Sequence, residues 1–160
     1  MPMNDIRAIS AVRRSLALGA ALLLAVPAFA AESGEAPQWV KEPIEAPCTF
    51  YKTFESATIG GPVSYLIYLP PDYETNAEAR YPVMYWLHGR GGAQTGIPAF
   101  VARLTRAIEE GKTPPMIVVF VNGLPTGSYV DSYDGKQPVE SVTIKDLIPH
   151  IDSTYRTIAS

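Results

Sequence analysis

Two neighbouring segments early in the chain alternate between apolar and polar positions. Residues 49–58 and 63–69 are rich in aromatic and β-branched side chains, and such alternation is typical of strands with one buried face. Residues 60–62, Gly-Gly-Pro, lie between them, so we expect an antiparallel hairpin. The second strand should end at Pro70 and Pro71, because proline cannot donate to a strand ladder.

Two later segments are apolar on both faces. They are residues 81–87 (YPVMYWL) and residues 115–121 (PMIVVFV), and strands buried on both faces are typical of parallel sheets covered by helices. Between them apolar residues recur at helical spacing, with Pro98 suited to the first turn and Gly111 to the end. The pattern therefore predicts one right-handed β-α-β unit. The apolar helix positions are Ile97, Phe100, Val101, Leu104 and Ile108.

A second helical pattern follows an irregular loop at residues 124–138. Pro149 interrupts it, because a proline ring clashes with the carbonyl group four residues earlier. We expect either a kink or a second short helix that starts at Pro149. The chain is therefore predicted to be an α/β protein, in which an antiparallel hairpin precedes a β-α-β unit and a kinked helix. The apolar positions of this pattern are Val142, Ile144, Leu147, Ile148, Ile151 and Tyr155.

Residues 1–30 have the pattern of a secretory signal peptide. Arg13 and Arg14 precede the apolar residues 16–28, and Ala28-Phe29-Ala30 is an A-x-A cleavage site. The apolar run is shorter than the roughly 20 residues that a membrane span needs. We expect cleavage after Ala30 and a secreted or periplasmic protein with no stable membrane span. An uncleaved anchor and twin-arginine export remain alternatives.

Charge and cysteine content exclude several classes of function. The chain carries 13 basic and 16 acidic residues, and without residues 1–30 the acidic excess grows, so we do not expect nucleic acid as a partner. Cys48 is the only cysteine, which excludes an internal disulfide and CxxC chemistry; we expect it to be a small buried residue. Residues 31–47 are rich in proline, glutamate and alanine and are predicted to form a loose lead-in. The folded domain is then residues 48–160.

The strand at residues 81–87 runs into a glycine-rich sequence, HGRGG at residues 88–92. A phosphate-binding P-loop would need G-x-x-x-x-G-K-[ST], and a dinucleotide fingerprint would need glycine where Gln94 stands. An oxyanion hole fits better, because backbone N–H groups can stabilise the charge that develops on a carbonyl oxygen during acyl transfer. In α/β-hydrolases one such donor comes from the loop after the third strand, in an HGGG-type motif.

The chain resembles the putative-esterase (esterase D-like) family of the α/β-hydrolase fold, which includes feruloyl esterases, acetyl xylan esterases and S-formylglutathione hydrolases. The resemblance runs from Thr49 to Ser160 and rests on SYLIYLPPDYE, RYPVMYWLHGRGG, MIVVFVNG and SYDGKQPVESVTIKDLIPHIDSTYRT, in that order. It implies a secreted serine esterase that needs no cofactor or metal and acts on esters, carbohydrate-linked esters among them. It also implies that the Arg90 backbone N–H contributes to the oxyanion hole. The residues implied to shape this loop are His88, Gly89, Gly91 and Gly92.

One part of the family pattern is missing. Relatives that resemble this chain continue past TYRT into a G-x-S-x-G nucleophile elbow, which does not occur in these 160 residues. Residues 126–130 (TGSYV) lack the flanking glycines. The resemblance therefore implies the N-terminal half of an esterase, truncated before its nucleophile and inactive as this chain. A non-catalytic carbohydrate- or partner-binding remnant is the alternative.

An incomplete sheet has consequences for stability. Without the strand that carries the nucleophile, we expect residues 81–87 to lie at a sheet edge, where unpaired strands favour aggregation. We also expect Leu147, Ile148 and Ile151 to be exposed to water.

Other polar residues have simpler interpretations. His88 is expected to brace the glycine loop rather than to act as a base, and His150 to be solvated or to cap a helix. The loop with Asp131 and Asp134 has too few oxygen ligands at regular spacing for calcium. The resemblance places this loop near the acyl pocket, so the residues expected to contact substrate are Tyr129 and Tyr133.

Overall fold

The computed structural model describes residues 38–91 and 94–159. Within them four strands form one mixed sheet in the order β1-β2-β4-β3. The predicted signal peptide, residues 31–37 of the lead-in, Gly92 and Ser160 lie outside the described residues. The strands are β1 (Thr49–Ser56), β2 (Gly61–Tyr68), β3 (Val83–Trp86) and β4 (Ile117–Phe120).

The strands pair as the apolar patterns predict. β1 and β2 form an antiparallel hairpin from Thr49↔Tyr68 to Ser56↔Gly61, and β2 continues antiparallel to β4. β3 is parallel to β4, so the predicted β-α-β unit is confirmed. β4 lies inside the sheet with all four residues buried, whereas β3 lies at the edge and is only partly buried.

Helix α1 (Ile97–Glu109) covers one face of the sheet. A 3₁₀ turn at Gln94–Gly96 leads into it, and a proline stands in its first turn. Gly111 follows with a φ of +67°, a left-handed conformation that ends the helix at little cost for glycine. The buried residues of this side of the core are Leu66, Tyr68, Ile97, Val101, Leu104, Val118 and Phe120.

The second helical run covers the other face and is not uniform. It consists of α2 (Val139–Ser141), a π-helical segment (Val142–Leu147) and α3 (Ile148–Thr154). Pro149 lies in the first turn of α3, so the chain forms a second short helix rather than one kinked α-helix. The wider π-turns come just before Pro149, where its missing N–H and its ring prevent the regular α-helical hydrogen bond.

The expected exposure of this run is wrong for Leu147 and Ile151, whereas Ile148 is half-buried. Leu147 and Ile151 are 1 % and 0 % exposed and pack against residues of β1, β2 and β4, among them Phe54, Ile67 and Val119. Strands β1, β2 and β4 are sufficient to cover these two side chains without a further strand. None of the helices in the described part of the chain is long and apolar enough to cross a membrane.

The chain returns to β3 after α3. The Tyr81 N–H donates to the Arg156 carbonyl (2.9 Å), and the Ile158 N–H donates to the Tyr81 carbonyl (2.9 Å). Tyr81 and Thr157 thus form a parallel bridge at the start of β3, on the side opposite β4.

Cys48 is exposed rather than buried, which contradicts the expectation from its residue type. It lies in the turn before β1 with a φ of +53°. Its carbonyl accepts the Leu69 N–H (3.0 Å), so its backbone is held by the hairpin while its thiol faces solvent.

Candidate functional site

Two loops meet at the carboxyl ends of β3 and β4, where ligands bind in open α/β sheets. The Gly91 N–H of the first loop donates to the Pro125 carbonyl of the second (2.9 Å). Gly127 has a φ of +59°, and a Cβ there would lie 2.8 Å from the carbonyl carbon and oxygen of Gly89. Only glycine therefore fits at position 127, and the two loops form one packed unit.

His88 links the loops through both ring nitrogens. Its Nδ1 lies 2.8 Å from the Gly89 carbonyl oxygen, and its Nε2 lies 3.3 Å from the Gly123 nitrogen. A carbonyl oxygen can only accept and a backbone N–H can only donate, so the ring is neutral with its proton on Nδ1. A general base would need a free nitrogen next to substrate, and this ring has both nitrogens engaged.

Arg90 presents a backbone donor at the same place. Arg90 is exposed, and its backbone N–H donates to no acceptor among residues 38–91 and 94–159. The neighbouring Gly91 N–H is occupied by Pro125. Among the described residues the N–H groups of Gly89 and Arg90 have no acceptor, so this loop has backbone donors available to an external oxygen.

Of the two predicted substrate-contacting tyrosines, the structure brings one to this loop. The Tyr129 ring packs edge-to-face on His88, with 5.8 Å between ring centroids, and lies so close to Gly123 that a Cβ there would be 2.5 Å from its hydroxyl. Burial raises the pKa of Tyr129, and its buried hydroxyl has no hydrogen-bond partner among the described residues. Tyr133 instead exposes its whole side chain.

The two acidic loop residues accept hydrogen bonds from nearby serines. The Asp131 carboxylate accepts the backbone N–H and the hydroxyl of Ser141, at 2.9 and 2.7 Å, and these bonds lower its pKa. Asp134 accepts the Ser132 hydroxyl at 2.7 Å. Both aspartates are exposed, and within the described residues no group of three or more His, Cys, Asp or Glu side chains could hold a metal ion.

His150 lies away from these loops, in an aromatic cluster on the face covered by the second helical run. It stacks on Phe54 with 5.0 Å between ring centroids, and its Nε2 lies 3.0 Å from the Tyr65 hydroxyl, which also lies 3.2 Å from the Tyr155 hydroxyl. Burial lowers the pKa of His150. The expectation of a solvated or helix-capping histidine is therefore wrong.

Sequence reasoning overlooked Asn122. Its side chain is 6 % exposed and connects the second loop to the segment before β1 through the Trp39 carbonyl, 2.9 Å from Nδ2. The signal was present, because Asn122 is a polar residue directly after a strand that is apolar on both faces.

A small cavity adjoins the first loop. It lies between the ends of β3 and β4 and the start of α1, so a group bound there would contact the His88 ring. The residues that line it are Trp86, His88, Gln94, Ile97, Phe120 and Val121.

Known proteins are similar to this chain in sequence and in fold. The chain is 34 % identical over 116 residues to an esterase of Mycobacterium tuberculosis, an alignment that covers 71 % of this chain and 25 % of that protein. It is also 34 % identical over 116 residues to an endo-1,4-beta-xylanase/feruloyl esterase of Xylanibacter ruminicola, covering 67 % of this chain and 16 % of that protein. The chain thus spans a quarter or less of the length of these relatives.

Comparison with solved structures also finds an esterase. A solved ferulic acid esterase matches with a TM-score of 0.60 and 25 % identity, covering 69 % of this chain and 45 % of that one. The sheet therefore corresponds to part of an α/β-hydrolase-like esterase fold. The family model described as "Putative esterase" matches residues 56–160, and the chain therefore belongs to the putative esterase family.

Proposed function

We propose that residues 38–159 supply the oxyanion loop of a serine-type carboxylic-ester hydrolase. The observation that carries the proposal is the Arg90 N–H, which has no acceptor among the described residues, while the Gly91 N–H and both nitrogens of His88 are occupied. When the substrate carbonyl is attacked, its oxygen gains negative charge, and the Arg90 N–H donates to it. His88 holds the loop and transfers no proton.

The proposed substrates are esters of hydroxycinnamic acids, including carbohydrate-linked ones. A feruloyl esterase of Xylanibacter ruminicola and a solved ferulic acid esterase are similar to this chain. Tyr129, packed on His88, offers an aromatic wall beside the loop. Aromatic side chains of this kind suit a planar acyl group.

The chemistry also requires a serine nucleophile, a histidine and an acid. No G-x-S-x-G occurs in residues 1–160, so we propose that this polypeptide by itself hydrolyses no ester. A fluorophosphonate probe, which labels activated serines, should leave the purified chain unlabelled. Stoichiometric labelling of Ser128, the serine nearest to an elbow-like sequence, would contradict the proposal.

A chimera tests the oxyanion role directly. Residues 38–159 would replace the matching part of the ferulic acid esterase, and hydrolysis of methyl ferulate would be measured. Arg90→Pro removes the backbone N–H, whereas the control Arg90→Ala removes only the side chain. We expect kcat to fall about 10²–10³-fold in Arg90→Pro, the cost of one oxyanion donor, and to change little in Arg90→Ala. A folded chimera that is inactive, or a fully active Arg90→Pro variant, would overturn the proposal.

We further propose that residues 1–30 direct export and are then removed. The basic residues, apolar run and Ala28-Phe29-Ala30 sequence support this. N-terminal sequencing of the exported protein should start at Ala31, and soluble cytoplasmic protein that retains Met1 would argue against export.

A further inference from the structure

Asn122 uses both ends of its side chain. Its Nδ2 donates to the Trp39 carbonyl (2.9 Å) and, at longer range, to the Gln38 carbonyl (3.4 Å). Its Oδ1 accepts the Leu124 N–H (3.1 Å). The side chain is buried, so these bonds form where water does not compete with them and where an unsatisfied polar group would be costly.

The bond to Leu124 holds a strained residue. Leu124 is 1 % exposed and has a φ of +55°, a left-handed conformation that branched side chains avoid. The surroundings must therefore impose it. The Leu124 carbonyl in turn accepts the Gly127 N–H (3.2 Å), and this turn places Gly127 against Gly89.

The same turn directs the Gly123 N–H at His88. This N–H donates to Nε2 (3.3 Å), which leaves the ring proton on Nδ1 for the Gly89 carbonyl (2.8 Å). A continuous set of hydrogen bonds thus runs from Trp39 through Asn122 and the 123–124 backbone to His88 and the carbonyl one residue before Arg90.

We infer that Asn122 is a positioning residue for the oxyanion loop: it ties the segment before β1 to the loop after β4 and thereby sets the tautomer and orientation of His88. Asparagine suits the position because it offers a donor and an acceptor on one short side chain. Aspartate would face the Trp39 carbonyl with a second acceptor, and alanine would leave both partners unsatisfied. The consequence for catalysis rests on the proposed function, whereas the effect on His88 does not.

The first test uses the full chain labelled with ¹⁵N. NMR of the His88 ring nitrogens should show the Nδ1–H tautomer in the unsubstituted protein. Asn122→Ala should give a mixture of tautomers and accelerate exchange of the Gly123 amide by roughly fivefold or more, the factor that one lost hydrogen bond corresponds to. Asn122→Asp should give a smaller acceleration, because it keeps the acceptor for Leu124.

The matched control is Asn76→Asp, the same chemical change at an exposed turn residue, which should leave His88 and Gly123 unchanged. If Asn122→Ala does not fold, Asn122→Asp decides the matter. Unchanged His88 and Gly123 signals in a folded Asn122 variant would overturn the inference.

The second test separates the inference from the proposed function. In the active chimera, Asn122→Ala should lower kcat by at least about tenfold with little change in KM, because the donor is displaced while the acyl pocket remains. A chimera that is inactive before substitution refutes the proposed function. The His88 tautomer then still decides whether Asn122 positions the loop.

Discussion

Gly127 and Gly135 share a left-handed backbone and differ in their surroundings. Their φ values are +59° and +70°, so any other residue at either position carries a strain of about 1–2 kcal/mol. A Cβ at Gly127 would lie 2.8 Å from Gly89 backbone atoms, whereas one at Gly135 would meet nothing within 4 Å. Gly127 is therefore required for contact between the two loops, and Gly135 only for its own turn.

This pair gives a prediction with an internal control. We expect Gly127→Ala to lower the free energy of unfolding by about 2–4 kcal/mol, because steric overlap adds to the strain. Gly135→Ala should cost only about 1–2 kcal/mol. Urea denaturation followed by circular dichroism measures both losses, and equal losses would show that the close contact with Gly89 is unimportant.

Residues whose role depends on local pattern could be predicted, and those that depend on distant partners could not. The sequence from His88 to Gly91 stood out because glycines follow directly after a strand. His150 meets a tyrosine 85 residues away, and Asn122 meets a carbonyl 83 residues away. The residues next to either one in the sequence do not indicate such a partner. His150 was therefore assigned wrongly, and Asn122 was overlooked.

At the scale of elements, the spacing of hydrophobic residues predicted most of the helices and strands. The hairpin, α1 and the parallel pair β3–β4 were all predictable, with ends displaced by a few residues. The π-helical segment Val142–Leu147 was not, because an apolar spacing of 3 and 4 does not record which backbone hydrogen bonds form. Pro149 indicated where the regular helix would be interrupted. It did not indicate that a π-helical segment would precede it.

The attachment of α3 to the sheet should depend on pH through His150. Burial lowers the pKa of His150 below its ordinary value of 6.5, so at acidic pH the unfolded chain binds more protons than the folded one. Stability is then complete above pH 6.5 and is lost as pH falls from 6.5 towards the folded-state pKa. Protonation would also remove the Nε2 acceptor next to the Tyr65 hydroxyl.

The measurement compares the unsubstituted protein with His150→Gln between pH 7.5 and 5. The glutamine does not titrate and keeps a hydrogen-bond acceptor, so its free energy of unfolding should fall less steeply with decreasing pH. Carboxylates contribute equally to both curves and cancel in the difference. Parallel curves would show that His150 does not make α3 sensitive to acid.

At the scale of the whole molecule, the sheet order β1-β2-β4-β3 explains which stability expectation failed and which remains. Strands β1, β2 and β4 bury Leu147 and Ile151, so the expected exposure of these two side chains failed. β3 lies at one edge; just before it, the Tyr81 backbone and the Arg80 side chain bond with residues 156–158, whereas Val83–Trp86 has no strand partner on that side among the described residues. The edge position of residues 81–87 was expected from the missing nucleophile strand and is confirmed. The apolar pattern alone did not indicate it, because the strand order depends on the long-range pairing of β2 with β4.

The edge predicts association of residues 31–160 expressed alone. Val83–Trp86 contains no charged residue. Met84 within it is 39 % exposed, and Leu87 directly after it is 48 % exposed. An uncharged, partly exposed edge strand favours pairing between molecules. We expect sedimentation velocity to show oligomers that increase with concentration, and Met84→Lys to shift the protein towards monomer because a charge on an edge strand discourages pairing. Ile144→Lys is the control, because Ile144 is 55 % exposed but lies in the π-helical segment Val142–Leu147. It should leave the oligomers unchanged. A protein that stays monomeric at all concentrations without substitution, or that responds equally to both lysines, would exclude β3 as the associating surface.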